Sequence, residues 1–257
     1  MPRSVARRSR QGTWLLLTIA SFSTVWAPGD AWAIRPLITD DARVVGERAA
    51  QVETWFRVDG AGPQHWTVFA VGPLKPLELS AGGFYGSDSH HFTVAAPTIQ
   101  IKALALEPKP GAIVPGVAVV GGVFGPLGTG PLQVRGWDSF GYVAFTESLD
   151  ERDRVLVHEN LGVFTTHDST LGGRHVFVTW GIGTQVRVAG GFHFVGEVFS
   201  GDPYSDAPGG AFQAGIRQYV SSHVQMDATV GDGFFGERLL PAWVSIGLRV
   251  ASDPNFW

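Results

Sequence analysis

The chain of 257 residues contains no cysteine. Exported proteins of this size often carry disulfides, and a fold that dispenses with them does well to close its own edges, as a β-barrel does. Long apolar runs are also missing beyond residue 33. A spanning helix needs roughly 17 or more consecutive apolar residues, and the longest apolar stretch, Ala112 to Leu127, is broken by Pro115 and several glycines. A helical membrane protein is therefore excluded. Beyond residue 33 basic clusters are absent as well, which makes that part of the chain a poor nucleic-acid binder. What the chain does have is 34 glycines and 12% aromatic residues, a combination that suits β structure better than helix.

The first residues form a separate unit. Arg3, Arg7, Arg8 and Arg10 precede an almost uncharged run from Trp14 to Ala27, and Ala31-Trp32-Ala33 supplies a small-x-small pattern. This reads as a secretory signal peptide, residues 1–33, cleaved before Ile34. Its removal takes four arginines and one acid and leaves 224 residues with 15 basic against 22 acidic side chains, formally −7. Residues 34–48 are polar and irregular, and form a lead that either hangs in the periplasm or folds back as a plug. Residues 49–251 are the barrel region, and 252–257 a C-terminal tail.

From Gln51 onward, runs of alternating polarity recur between turn signals. Ala242–Val250 shows the pattern most cleanly: Ala242, Val244, Ile246, Leu248 and Val250 oppose Trp243, Ser245, Gly247 and Arg249. Strict alternation marks a strand with one apolar and one polar face. The other strands are read at Gln51–Asp59, Gln64–Val71, Leu77–Tyr85, Phe92–Leu106, Ile113–Phe124, Trp137–Glu147, Arg154–Phe164, His175–Val188, Phe192–Phe199, Phe212–Val220 and Val224–Val230. The two faces of Trp137–Glu147 are poorly distinguished. About twelve strands of roughly ten residues predict an all-β fold, a transmembrane antiparallel up-and-down β-barrel with its apolar face toward lipid. Connections also sort. Those from even to odd strands are mostly tight, whereas Gly125–Leu132, His167–Gly173, Gly201–Gly210 and Gly231–Leu240 all run from odd to even. One residue resists: Glu159 falls on an apolar face between Val157 and Leu161, where a bulge or a position below the bilayer band would relieve it.

The stretch Arg35-Pro36-Leu37-Ile38-Thr39-Asp40-Asp41-Ala42-Arg43, followed by Gln51-Val52-Glu53-Thr54-Trp55, resembles bacterial outer-membrane transporters grouped near the MetA-pathway phenol-degradation proteins. Val157-His158-Glu159-Asn160-Leu161-Gly162, Gly196-Glu197-Val198-Phe199, Gly215-Ile216-Arg217-Gln218-Tyr219 and Gln225-Met226-Asp227-Ala228-Thr229 are similar to strand motifs of that group. The resemblance implies an outer-membrane barrel with a transport role and no established catalytic residues. Two departures stand out: Glu159 occupies an expected apolar position, and the chain continues past its last strand to Trp257.

No pattern carries chemistry of another kind. His90-His91 lacks the spacing of a metal site, no serine sits in a nucleophile elbow, and Gly121-Gly122 lies inside a strand where glycine permits bends or close packing. No catalytic residue, metal or cofactor is expected. The candidates are charged or polar side chains on the inner faces: Glu53, Arg57, Lys102, His158, Arg187, Glu197, Arg217, Asp227 and Arg249. They either fill the barrel as a salt-bridge network or line a solute path. Arg217 is expected at the centre of a cluster flanked by Glu197 and Asp227. The leading functional expectation is a channel or transporter in the bacterial outer membrane for small solutes, hydrophobic ones among them. A plugged structural or adhesive barrel is the alternative, followed by an outer-membrane lipid hydrolase and a soluble periplasmic binder of lipophiles. Expected partners are outer-membrane lipid, the assembly machinery and a small-molecule solute.

Overall fold

A computed structural model describes residues 36–87, 92–167, 172–202, 207–236 and 239–257. The proposed signal peptide and His90-His91 lie outside the described residues. Twelve strands follow one another: β1 (Ala50–Asp59), β2 (Gly62–Leu74), β3 (Leu77–Ser87), β4 (Phe92–Leu106), β5 (Gly116–Phe124), β6 (Asp138–Ser148), β7 (Val155–His167), β8 (Arg174–Ala189), β9 (Phe192–Asp202), β10 (Ala207–Tyr219), β11 (Val224–Phe235) and β12 (Trp243–Ala251). Each pairs antiparallel with its neighbour, and β12 pairs with β1 to close the barrel. The closing seam is continuous from Gln51 opposite Ala251 to Val58 opposite Val244. The predicted twelve-strand up-and-down barrel is thus the observed fold.

Alternation along the strands sets inside from outside. In β12, Trp243, Ser245, Gly247 and Arg249 are buried, while Val244, Ile246, Leu248 and Val250 are exposed. The same sorting runs around the wall: Phe56, Ile99, Val178 and Ile246 are each more than half exposed, and Lys102, Arg217 and Arg249 are at most 3% exposed. A water-soluble domain sorts its residues the other way. This inside-out order suits a wall that faces hydrocarbon. Pro97 sits in β4 at a register shift between Gly82/Phe84 of β3 and Ala95/Thr98, where a residue without an N–H costs the ladder nothing.

Several boundaries depart from expectation, and β11 runs on to Phe235, five residues past the expected Val230. Ile113 is not in a strand; it is almost wholly exposed in the connection before β5. The Gly201–Gly210 connection shrinks to 203–206, which lies outside the described residues, because β9 runs to Asp202 and β10 begins at Ala207. Glycines at those strand ends carry no side chain to declare a face, so the ladder continues past the point where alternation fades. The sorting of loops is correspondingly weaker. The rim holding both chain ends of the barrel, here the lower rim, also holds the nine-residue connection 107–115, and the upper rim holds the two-residue turn Gly60-Ala61. At Glu159 the ladder is unbroken: it sits opposite Phe145 and Ile182, with no register shift, and is exposed on the outer wall. A bulge is excluded.

Candidate functional site: a lumen filled from below

The polar lead answers the question the sequence left open. From Ala50 the preceding residues turn into the barrel and climb from the lower rim to mid-lumen. Arg48 donates its N–H to Gly72 O at 2.6 Å, and the Gly72 N–H reaches Ala49 O at 2.9 Å. A Cβ on Gly72 would lie 1.7 Å from Gly46 O, so only glycine admits the chain there. Above this hinge, Thr39, Asp40, Asp41, Ala42 and Val44 are all buried.

Buried main-chain groups need partners, and the lumen wall provides them. Val45 N–H donates to the Glu78 carboxylate at 2.8 Å, and Ala42 N–H to Thr146 Oγ1 at 2.9 Å. The two oxygens of Glu197 accept the N–H groups of Ile38 and Thr39, each at 2.7 Å. Gln213 donates to Pro36 O at 2.8 Å. With its amide oriented to match its neighbours, Asn160 accepts from Asp40 N–H at 2.7 Å and donates to Asp40 O at 3.2 Å. Lys102 is the densest contact. Its ammonium donates to Asp40 Oδ1 at 2.7 Å, to Asp41 O at 2.8 Å and to Arg43 O at 3.3 Å, using all three protons. Tyr142 OH donates to the other Asp40 oxygen at 3.0 Å, and Thr146 OH to Asp41 at 3.0 Å. Arg43 in turn reaches Asp153 at 3.0 Å and Asp41 at 3.4 Å. Burial alone would raise the Asp41 carboxyl, but the Arg43 guanidinium and N–H, together with His158 and Lys102 nearby, hold the group below its ordinary value.

Close packing completes the seat. A Cβ at Gly181 of β8 would come within 2.3 Å of Thr39 Oγ1, and one at Gly183 within 3.0 Å of Leu37 Cδ1. Two glycines on the inner face of one strand therefore make the recess that receives the plug.

The upper lumen is built from different material. Trp66, Phe84, Phe124, Phe140, Tyr142 and Phe164 form a buried cluster inside the barrel, joined by Leu132 from the 125–137 connection. Trp55 stacks on Trp66 with centroids 5.4 Å apart and planes 3° from parallel. Leu240, from the connection before β12, packs with Phe199 and Trp243 beside them. This explains why the faces of β6 were hard to tell apart: its inner face carries Phe140, Tyr142 and Ala144, as apolar as its outer face.

Each candidate residue has its place. Except for half-buried Arg187, the nine are buried on the inner wall. Lys102 and Glu197 hold the plug. His158 Nδ1 shares a hydrogen bond with Thr146 Oγ1 at 3.0 Å, one step behind it. Arg57 bonds Asp59 at 2.9 Å and lies over the Trp243 ring, 4.8 Å from its centroid. Arg249 donates to Gln51 at 2.9 Å and comes within 3.9 Å of Glu53. Arg187 approaches His193 at 3.4 Å. Arg217 stands directly opposite Asp227 on β11, as expected, but opposite His193 on β9, and its guanidinium also donates to Gln185. Glu197 pairs in register with Gln213 instead, so it does not flank Arg217. Strand spacing alone misplaced it because the register along β9 was unknown. Sequence reasoning also missed Asp40, Asp41, Glu78, Tyr142, Thr146, Asn160 and Gln213 as plug contacts. All but the two aspartates lie on inner faces of strands, which was their one available signal.

Two of the spaces beside the plug are bounded by described residues. One of about 70 Å³ lies between plug residues Pro36 to Ile38 and the wall of β12 and β1–β4. Another of about 10 Å³ lies at the seat, near Thr39, Asn160 and Thr179.

Comparison with known proteins agrees with the architecture. The COG4313 outer membrane channel from Pseudomonas putida F1 superposes with a TM-score of 0.58 at 10% identity, over 82% of this chain and 98% of that one. The KdgM porin, solved in complex with disordered oligogalacturonate, gives 0.54 at 6% identity over 80% and 99%. The NanC porin gives 0.53 at 10% identity over 79% and 98%. At these identities the likeness is one of fold. No curated protein matches the sequence. A family model described as Uncharacterised conserved protein UCP029691 matches residues 22–252.

Proposed function

The chain belongs to the family of Uncharacterised conserved protein UCP029691, and we propose that it is an outer-membrane channel for small solutes whose lumen is narrowed by its own N-terminal segment. The observation that carries this reading is the inside-out barrel with a polar plug. The outer wall is apolar where lipid would lie, and the plug is held by hydrogen bonds and one buried ion pair. Polar contacts of this kind can be exchanged for water as a plug moves, whereas an apolar core cannot be opened so cheaply. Export through a cleaved signal peptide, insertion by the outer-membrane assembly machinery and contact with outer-membrane lipid belong to the same reading.

The solutes we assign are small molecules with an apolar body. A barrel lumen is usually polar and wet, yet the upper half here is an aromatic cluster that would favour such a body over a strongly hydrated ion. The resemblance to proteins near the MetA pathway points the same way. Conductance in planar bilayers tests the channel: the full-length barrel should pass little current, and one lacking residues 36–46 should conduct several-fold more. If both forms are silent, the channel reading is wrong and the filled lumen supports the structural or adhesive alternative. Liposome swelling with solutes of graded polarity tests the solute class.

A further inference from the structure

We infer that solutes pass the plug on one side only, along the wall formed by β12 and β1–β4, and that this passage selects uncharged solutes. The inference rests on the channel reading above and adds the route and its selectivity.

The plug is not centred in the lumen. Its tightest packing is against Asn160 of β7, the glycines of β8 and Glu197 of β9, while Lys102 of β4, Tyr142 and Thr146 of β6 and Gln213 of β10 hold it at the edges of that side. The space at the seat on that side, about 10 Å³, is near the roughly 10–15 Å³ that one water needs. Against β12 and β1–β4, between the edges marked by Tyr142 and Gln213, there is a space of about 70 Å³, enough for roughly five waters by the same measure. The larger space extends along β1 past Glu53, Trp55 and Arg57, and is walled by Ser80, Gln100 and Ser245.

The charges along this passage are matched. Glu53 faces Arg249 at 3.9 Å, Arg57 bonds Asp59 at 2.9 Å, and Asp40 bonds Lys102 at 2.7 Å. The charges that line the passage and their partners sum to zero, which leaves no excess of one sign to draw an ion out of water. The stacked Trp55 and Trp66 rings offer a flat apolar wall, and Ser80, Gln100 and Ser245 offer hydrogen bonds. Arg57, lying over the Trp243 ring, also lines this space.

The absence of cysteine makes the test direct, because each engineered thiol is the only one in the chain. Ser80→Cys places a thiol in the passage, and Thr179→Cys places one at the seat. Both are conservative in size. Purified full-length barrels would be treated with a small neutral methanethiosulfonate, modification read by mass, and conductance recorded in planar bilayers. Ser80→Cys should be modified quickly and lose about half or more of its current, whereas Thr179→Cys should react slowly and keep its current. Ser80→Cys that resists modification, or that is modified without loss of current, overturns the inference. So does a Thr179→Cys barrel blocked equally well. A full-length barrel that conducts nothing while one lacking residues 36–46 conducts overturns the passage and leaves the channel reading standing, whereas silence of both forms refutes the channel reading itself. Charge selectivity is read from reversal potential: Glu53→Gln, which unbalances the pair with Arg249, should shift it toward anions, and an unchanged potential in a conducting barrel overturns the claim of matched charge.

Discussion

Replacing Lys102 with methionine should release the plug while leaving the barrel standing. The side chain is fully buried, and its three protons go to Asp40 Oδ1, Asp41 O and Arg43 O. Methionine keeps the length of the stem but strands the Asp40 carboxylate and two main-chain carbonyls. Removing one partner of a buried ion pair typically costs about 3–5 kcal/mol. At about 1.4 kcal/mol per factor of ten, the ratio of undocked to docked plug should rise roughly 10²- to 10⁴-fold. The strand itself keeps its main-chain ladder to β3 and β5, so the cost should fall on the plug. Trypsin gives the readout: Arg43 is 11% exposed when docked and should be cut only from the undocked form. When docking is fast relative to cutting, the cleavage rate follows the open population. The double variant Lys102→Met with Asp40→Asn should recover much of the protection, since it removes the stranded charge and keeps an acceptor for Tyr142 OH. Unchanged cleavage at Arg43 in Lys102→Met, or a double variant cut as fast as the single one, would refute the assignment of this pair as the latch.

Three further outcomes follow from the same geometry. Gly181→Val should also speed cleavage at Arg43, because its Cβ would stand 2.3 Å from Thr39 Oγ1; protection equal to wild type would mean that the plug does not use this recess. Glu159→Leu should stabilise the barrel in lipid vesicles by up to about 2 kcal/mol in a urea titration, and no gain would place Glu159 outside the hydrocarbon layer. Gln133→Cys, exposed in an upper connection, should be labelled on intact cells by an impermeant maleimide, whereas Lys75→Cys on the lower rim should require permeabilisation; the reverse pattern would invert the barrel.

The wall was legible because lipid and lumen impose opposite demands on successive residues. In β12 that conflict is absolute, and nine residues suffice to assign both faces. In β6 it vanishes, since Phe140 and Tyr142 face an aromatic interior while Val143 and Phe145 face outward. The plug was illegible for a different reason. Asp40, Asp41 and Arg43 look like any solvated loop, and their partners lie far along the chain; Glu197 is 158 residues from Thr39. Nothing local distinguishes a polar segment that meets water from one that meets a polar lumen.

That ambiguity bears on how charges inside a barrel are to be understood. A buried lysine on an inner face was expected either to pair across the lumen or to line a path. Lys102 does neither with another strand as its main partner: it binds a segment that enters the barrel. Glu197 likewise spends both oxygens on plug N–H groups. Once those two are assigned to the plug, the residues beside the open space are Glu53 and Arg57, each within reach of an opposite charge. The polar residues that hold the plug and those that line the remaining passage therefore overlap at Asp40, Tyr142 and Gln213, but Lys102 and Glu197 belong to the first group alone and Glu53 and Arg57 to the second. Mutations should separate them: changes at Lys102 or Glu197 should alter how often the barrel conducts, and changes at Glu53 or Arg57 should alter what it conducts. A single-channel record distinguishes open probability from reversal potential, and a Glu197→Ala variant that changed only the reversal potential would show that this division is wrong.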